Sequence, residues 1–194
     1  MDFNFSDTII LENERVLLRP LAESDLEFLK APALDDSSIF RYSLSQVKDE
    51  DSLKEYIETA LKERAASFRY AFIIFDKETG GYAGSTSFAN ISNKDQRLEI
   101  GWTWMGKQWQ RSGLNRQCKF LLLRYAFEVL GFERVELKTD ERNEQSRTAI
   151  QKIGGLQEGI FRSHSLMPDG FRRNTVYFSI LKNEWPDVKH KLIS

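Results

Sequence analysis

The stretch Gln110-Arg111-Ser112-Gly113-Leu114-Asn115 stands between an apparent strand and an apparent helix. Backbone N–H groups at a helix start point outward at the positive end of the helix dipole, and a glycine there lets an anion come close. Gly113, the small polar Ser112 and the basic Arg111 meet those needs for a phosphate. The same residues suit a plain helix cap, and they form neither a three-glycine dinucleotide loop nor a P-loop, since no Gly-Lys-Ser/Thr follows. His164 is the side chain best matched to moving protons near neutral pH, with a hydrogen-bonded structural histidine as the other reading. Cys118 falls on an apolar helix stripe with no base beside it, so core packing is expected rather than nucleophilic chemistry.

The elements that must position these residues can be read from periodicity. A strand over Arg15–Arg19 ends at Pro20, whose ring removes a ladder donor. Ser24 and Glu27 have the spacing of a capping box, which predicts a helix running toward Ala31–Pro32. Leu53, Tyr56, Ile57, Ala60 and Leu61 mark a second helix over 49–66. Three antiparallel strands follow, over 69–75, 82–91 and 97–105. In the last, strict alternation puts Leu98, Ile100, Trp102 and Trp104 on one face and Glu99, Gly101 and Thr103 on the other. A central helix over 112–130 carries Leu114, Cys118, Leu121, Leu122, Tyr125 and Val129 on a wide buried stripe and stops at Gly131. A strand over 134–139, a short helix over 143–153, two strands over 156–166 and 175–181 and a terminal helix near Trp185 complete the order. Asn143 is a favoured helix-capping residue. Alternation along the first of those two strands sets His164 beside Glu158, Ile160 and Arg162. The result is an α/β (α+β) layer architecture with helices on both sides of a mixed sheet.

At 194 residues, with no linker or repeat, a single domain over 1–194 is expected. The 28 basic and 29 acidic residues nearly cancel, so no overall field recruits nucleic acid or an anionic membrane surface, and no apolar run nears the roughly 20 residues of a membrane span. One cysteine excludes an internal disulfide, and with two separated histidines it gives no metal-ligand spacing. A cytoplasmic protein acting without metal, as monomer or homodimer, is the simplest expectation.

Several markers occur in a fixed order: Leu18-Arg19-Pro20, Leu98-Glu99-Ile100-Gly101-Trp102, Gln110-x-x-Gly113, Asn143-x-x-Ser146, and Ile153-Gly154-Gly155-Leu156-Gln157-Glu158-Gly159. Together they resemble the GCN5-related N-acetyltransferases (GNAT), closest to the RimJ/RimL-like branch, over about residues 15–181. Asn115 stands where that family prefers glycine or alanine. The resemblance implies a twisted, mostly antiparallel sheet split between its fourth and fifth strands, and direct acetyl transfer from acetyl-CoA to an amine. Under it, Gln110, Arg111, Ser112, Gly113, Leu114 and Asn115 would cradle the pyrophosphate. Trp104, Met105 and Asn143 would meet the pantetheine arm. Glu99 or His164 would take the proton of the amine, and Ser146 would return one to the departing thiolate. Acceptor loops would fall near residues 30–50 and 165–174, where Asp35-Asp36 and Asp49-Glu50-Asp51 either attract a cationic amine or are ordinary charged turns. The acceptor would be a protein N-terminus or a small-molecule amine. A non-catalytic acyl-CoA sensor with the same fold is the alternative.

Overall fold

The computed structural model describes residues 1–193. Two hairpin strands, β1 (Leu11–Glu12) and β2 (Val16–Pro20), precede helices α1 (Leu26–Leu34) and α2 (Glu50–Ala65). Strands β3 (Arg69–Asp76), β4 (Gly81–Ser92) and β5 (Arg97–Met105) form a meander, followed by α3 (Leu114–Arg124) and β6 (Arg134–Asp140). Helix α4 (Glu144–Lys152), strands β7 (Leu156–Leu166) and β8 (Arg172–Leu181) and helix α5 (Trp185–Ile193) close the chain. One eight-stranded sheet runs in the order β1-β2-β3-β4-β5-β6-β8-β7. Every neighbouring pair is antiparallel except β5 and β6, which lie parallel.

Helices cover both faces, as the periodicity predicts. On one face α3 and α5 bury Tyr70, Phe72 and Ile74 of β3 with Leu98 and Ile100 of β5 and Val135 of β6. On the other, α1 and α2 bury the alternate residues Ala71 and Ile73. Three consecutive leucines of α3, Leu121 to Leu123, have no exposure. Consecutive helical residues point about 100° apart, so such a run requires cover on more than one side. The sheet supplies one cover and α5 another. Among the described residues no helix is long and apolar enough to cross a membrane.

Four local expectations are corrected. The capping box falls not on Ser24 and Glu27 but on Asp25, which is fully buried, accepts from the Ala22 N–H at 2.8 Å and is gripped by both terminal nitrogens of Arg19. Pro32 does not end α1; it sits inside the helix, packed on Gly106, where an added Cβ would come 2.9 Å from the Pro32 Cα. Helix α3 starts at Leu114 rather than Ser112, and it widens into a π turn over Tyr125–Val129, with the Leu130 N–H bonded to the Tyr125 carbonyl. That extra residue rotates the stripe, so Val129 is 48% exposed while Ala126, Phe127 and Leu130 are buried. Strand β8 begins at Arg172, three residues earlier than expected, which brings Arg173 into the sheet.

Candidate functional site

The loop before α3 is built from two turns. A 3-10 turn over Lys107–Trp109 anchors it, with Trp109 buried and its indole N–H donated to Thr79 at 3.2 Å. Arg111 and Gly113 then take left-handed backbone angles, φ 63° and 86°. Gly113 tolerates that angle because it lacks a Cβ. The Ser112 hydroxyl donates to the Trp109 carbonyl at 2.7 Å and accepts the Leu114 N–H. The backbone N–H groups of Arg111, Ser112, Gly113, Asn115 and Arg116 make no hydrogen bond among the described residues. Unpaired N–H groups at a helix start are donors that an anion can use. Arg111 is exposed beside it. Arg116 instead donates to the Lys191 carbonyl on α5. The Asn115 Oδ1 is buried with no partner among the described residues.

Strand β5 leads from this loop into the sheet opening. It pairs with β6 over three positions only, Arg97 with Arg134, Leu98 with Val135 and Glu99 with Glu136, although both strands run further. Beyond Glu99 they part. A bulge reinforces the separation: Ser85 opposes Trp104 and Ser87 opposes Gly101, so Thr86 faces two residues of β5 and Trp102 takes φ 49°. The bulge breaks the strict alternation expected here. Trp104 packs with Phe40 and Tyr56 on the α2 face, and the Trp102 ring meets Arg69 and Phe68. Thr103 swings to the α3 face, where it accepts from Lys119 at 2.7 Å and shares a 2.8 Å bond with Thr86. Lys119 is itself buried, and burial pushes its ammonium down to about 8.

Glu99 lies at the vertex of the opening and is 2% exposed, so it is not a solvent-facing strand residue. Its Oε2 accepts from Asn90 at 2.6 Å and pairs with Lys138 of β6 at 2.8 Å. Its Oε1 makes no hydrogen bond among the described residues and lies against Gly101, where an added Cβ would stand 2.9 Å away. Gly101 is therefore the space that leaves one oxygen of Glu99 free. For Lys138, the Glu99 charge and hydrogen bond outweigh desolvation, the largest single influence, and the ammonium is held above its usual range.

At the loop end, Gln110 donates to the Met105 carbonyl at 3.3 Å and accepts from Gln145 of α4 at 3.4 Å. The loop and the start of α4 thus meet across the opening. The Trp104 carbonyl turns instead toward β4, where it would collide with a Cβ on Gly84. Asn143 caps α4 by accepting the Ser146 N–H at 3.0 Å, which leaves the Ser146 hydroxyl unengaged among the described residues. His164 lies on β7, whose register against β8 slips after Gln157 and again after Phe161, with Ser163 at φ 52°. The slips spoil the simple alternation with Glu158, Ile160 and Arg162. Instead His164 Nδ1 meets the Thr175 hydroxyl at 3.1 Å and its ring stands 5.8 Å from Tyr177, over which Lys138 lies at 5.4 Å. Burial first, then the charges of Lys138 and Arg173, lower the His164 pKa below the ordinary imidazole value. Glu99, Lys138, Tyr177 and His164 form one continuous polar face of the sheet.

Cys118 is fully buried, and burial pushes its thiol up to about 12, in keeping with core packing. Among the described residues no group of His, Cys, Asp and Glu is arranged to hold a metal. In the acidic turns Asp36 binds Lys107 and the Ser38 N–H, Asp49 caps α2 and Glu50 pairs with Lys30, whereas Asp35 and Asp51 are exposed and make no ion pair among the described residues. Sequence reasoning missed Lys138, Asn90 and Arg173. Lys138 had a usable signal, since alternation along β6 puts it opposite Val135 and Leu137 and hence on the face of Glu99.

Residues 15–155 match the family described as "Acetyltransferase (GNAT) domain". The "Putative ribosomal N-acetyltransferase YdaF" of Bacillus subtilis (strain 168) is 29% identical over 182 residues, covering 91% of this chain and 97% of that protein. A solved structure of a "putative acetyltransferase" from T. thermophilus superposes with a TM-score of 0.87 at 34% identity, covering 97% of each chain. A GCN5-related N-acetyltransferase from Brucella melitensis gives 0.89 at 28% identity, covering 98% of this chain and 86% of that one.

Proposed function

Since the chain belongs to the GNAT acetyltransferase family, we propose that it uses acetyl-CoA and transfers the acetyl group directly to a primary amine. The observation that carries this reading is the opening between β5 and β6, with a row of free N–H groups at one end and a carboxylate with one free oxygen at its vertex. The residues present fit acetyl-CoA. The donors of Arg111, Ser112, Gly113, Asn115 and Arg116 suit a pyrophosphate, and the parted strand edges suit an extended amide-bearing arm.

Glu99 Oε1 takes the proton from the amine, directly or through water, as its nitrogen bonds to the thioester carbon. His164 is the second group on that face able to do so, and its lowered pKa keeps it neutral and receptive near pH 7. As the carbon–sulfur bond breaks, the Ser146 hydroxyl of α4, unengaged among the described residues, gives a proton to the sulfur and regains one from water. Gln110 holds the end of β5, and Asn143 holds α4, so that both walls keep their separation. The Bacillus relative, a putative ribosomal N-acetyltransferase by name, supports a protein as the acceptor, and a protein N-terminus is the amine we favour.

Calorimetry with acetyl-CoA, followed by thiol release over a panel of peptide and small-molecule amines, tests the reading. Binding with turnover on at least one amine is expected. Absence of binding at millimolar acetyl-CoA defeats it, and binding without turnover on any amine points to a sensor of acyl-CoA.

A further inference from the structure

Arg173 is the second residue of β8 and is 8% exposed. Its Nε donates to the Thr175 hydroxyl at 3.2 Å and its Nη1 to the Tyr42 carbonyl at 3.3 Å. Nη2 makes no hydrogen bond among the described residues, yet it is not among the atoms sealed from solvent, so it is the tip that reaches the surface. No carboxylate lies within ion-pair distance of this guanidinium among the described residues. Of the groups that stabilise its charge from further off, Asp140, Tyr177 and Glu99, the carboxylates are Asp140 and Glu99. Both are already engaged, Asp140 by Arg142 at 2.7 Å and Glu99 by Lys138 at 2.8 Å. Arg173 is therefore a surplus positive charge. Burial lowers its pKa, but a guanidinium stays protonated in any protein interior.

A buried cation without a counter-ion is costly unless something supplies the missing charge. The position of this one is informative. Thr175, which Arg173 binds, also meets His164, and from there the polar face continues through Tyr177 and Lys138 to Glu99. Tyr42 belongs to the segment between α1 and α2, and Arg173 to the β7–β8 hairpin, so this one side chain ties together two segments bordering the proton-accepting face. Beside it, the Arg142 guanidinium lies 3.8 Å from the Phe171 ring. In the acidic turns of the first segment Asp36, Asp49 and Glu50 are bound by Lys107, Lys30 and backbone donors, and none of the carboxylates there, the exposed Asp35 and Asp51 included, is among the groups that act on the Arg173 charge. Arg173 also lies beyond the residues 15–155 that match the family.

We propose that Arg173 selects acceptor amines that carry a carboxylate near the reacting nitrogen and disfavours polycationic amines. This rests on the reading of the chain as an N-acetyltransferase. A planar guanidinium with a free Nη2 binds a carboxylate oxygen by a charge-assisted hydrogen bond. The carboxylate has two chemical sources, the α-carboxylate of a free amino acid or an acidic residue next to a polypeptide N-terminus.

The test uses matched acceptor pairs with the full chain, after acetyl-CoA binding has been confirmed by calorimetry. One pair is a free amino acid and its amide; the other is a tetrapeptide with Asp at position two and the same peptide with Asn there. In at least one pair the carboxylate member should be favoured roughly 10- to 100-fold in kcat/KM, and the pair that shows it names the source. Spermidine should be poor. In Arg173→Gln the carboxylate member should fall to the level of its neutral partner through a raised KM, with acetyl-CoA affinity kept. Because Arg173 also binds Tyr42, Arg173→Lys serves as a control that keeps the charge, and it should retain part of the preference. Raising salt on the unaltered protein should shrink the preference as well. Equal rates within both pairs, a preference for spermidine, or an equal loss on both members of a pair in Arg173→Gln would each overturn the proposal while leaving the acetyltransferase reading intact. Failure to bind acetyl-CoA would remove both.

Discussion

The two ends of the β5–β6 opening are built in contrasting ways. In the proposed site, recognition at the loop end falls to backbone: N–H groups freed by left-handed angles at Arg111 and Gly113 and by the helix start at Leu114. At the vertex and across the neighbouring sheet face it is carried by side chains from four strands, Glu99, Lys138, His164 and Arg173, tied by ion pairs and hydrogen bonds. A backbone cradle depends on chain direction and tolerates most side chains, so it suits a ligand part that never changes. A side-chain network depends on each residue, and can be retuned for a different acceptor without disturbing the cradle. The contrast predicts that substitutions at the two ends should separate cleanly in what they damage.

The largest separation should come from Glu99→Gln. The amide keeps the size and the hydrogen bond to Asn90 but cannot take a proton, so kcat should drop roughly 100- to 10,000-fold with little change in acetyl-CoA affinity by calorimetry. Unaltered turnover across pH would remove Glu99 from the role of base. Gly113→Glu should do the reverse. A side chain at φ 86° is strained, and its carboxylate would crowd the phosphates, so acetyl-CoA affinity should weaken roughly 100-fold. The free space around Gly113, with nothing within 4 Å of an added Cβ, means that the fold itself should survive. An unchanged dissociation constant would place the phosphates elsewhere.

Lys138→Met sharpens the difference in stability rather than ligand binding. It leaves Glu99 buried with Asn90 as its remaining partner. Removing one partner of a fully buried pair costs about 3–5 kcal/mol; Lys138 keeps 22% side-chain exposure, so about 2 kcal/mol is expected here. That corresponds to a melting temperature about 4–8 °C lower. A Lys138 variant that weakened acetyl-CoA binding as much as Gly113→Glu does would contradict the division into a ligand-binding end and a charge-coupled end.

The same division explains what could be read from sequence. The loop, its glycine, the helix behind it and the family markers are local patterns, and the GNAT family and its RimJ/RimL-like branch are borne out by the matches over most of the chain. The sheet, its helices on both faces and the parting of β5 from β6 also agree with expectation. What escaped were features set by irregular backbone. The bulge at Trp102 reversed the faces of Trp104 and Thr103, the π turn displaced Val129, and two register slips in β7 moved His164. Each inserts residues that a strict period of 2 or 3.6 cannot represent. The Glu99–Lys138 pair joins residues 39 apart in sequence across a parallel strand pair, and its partners are known only once the sheet order is.

The smallest expected effect tests whether His164 belongs to the acceptor end at all. Its pKa is lowered, by burial first and then by the charges of Lys138 and Arg173, so the imidazole remains neutral to more acidic pH than an ordinary histidine. With Glu99 as base, His164→Gln should lower kcat by less than about tenfold. If His164 assists, the unaltered protein should lose activity on the acid side of the ordinary imidazole value as the ring gains its proton, beyond the fall that protonation of the amine itself brings, and the variant should lose that additional limb. Should the acidic limb persist unchanged in the variant, another group titrates there. The hydrogen bond from His164 to Thr175 would then be a strut for the face that Arg173 and Tyr177 share, and the division of labour at this end would narrow to Glu99 for the proton and Arg173 for the acceptor.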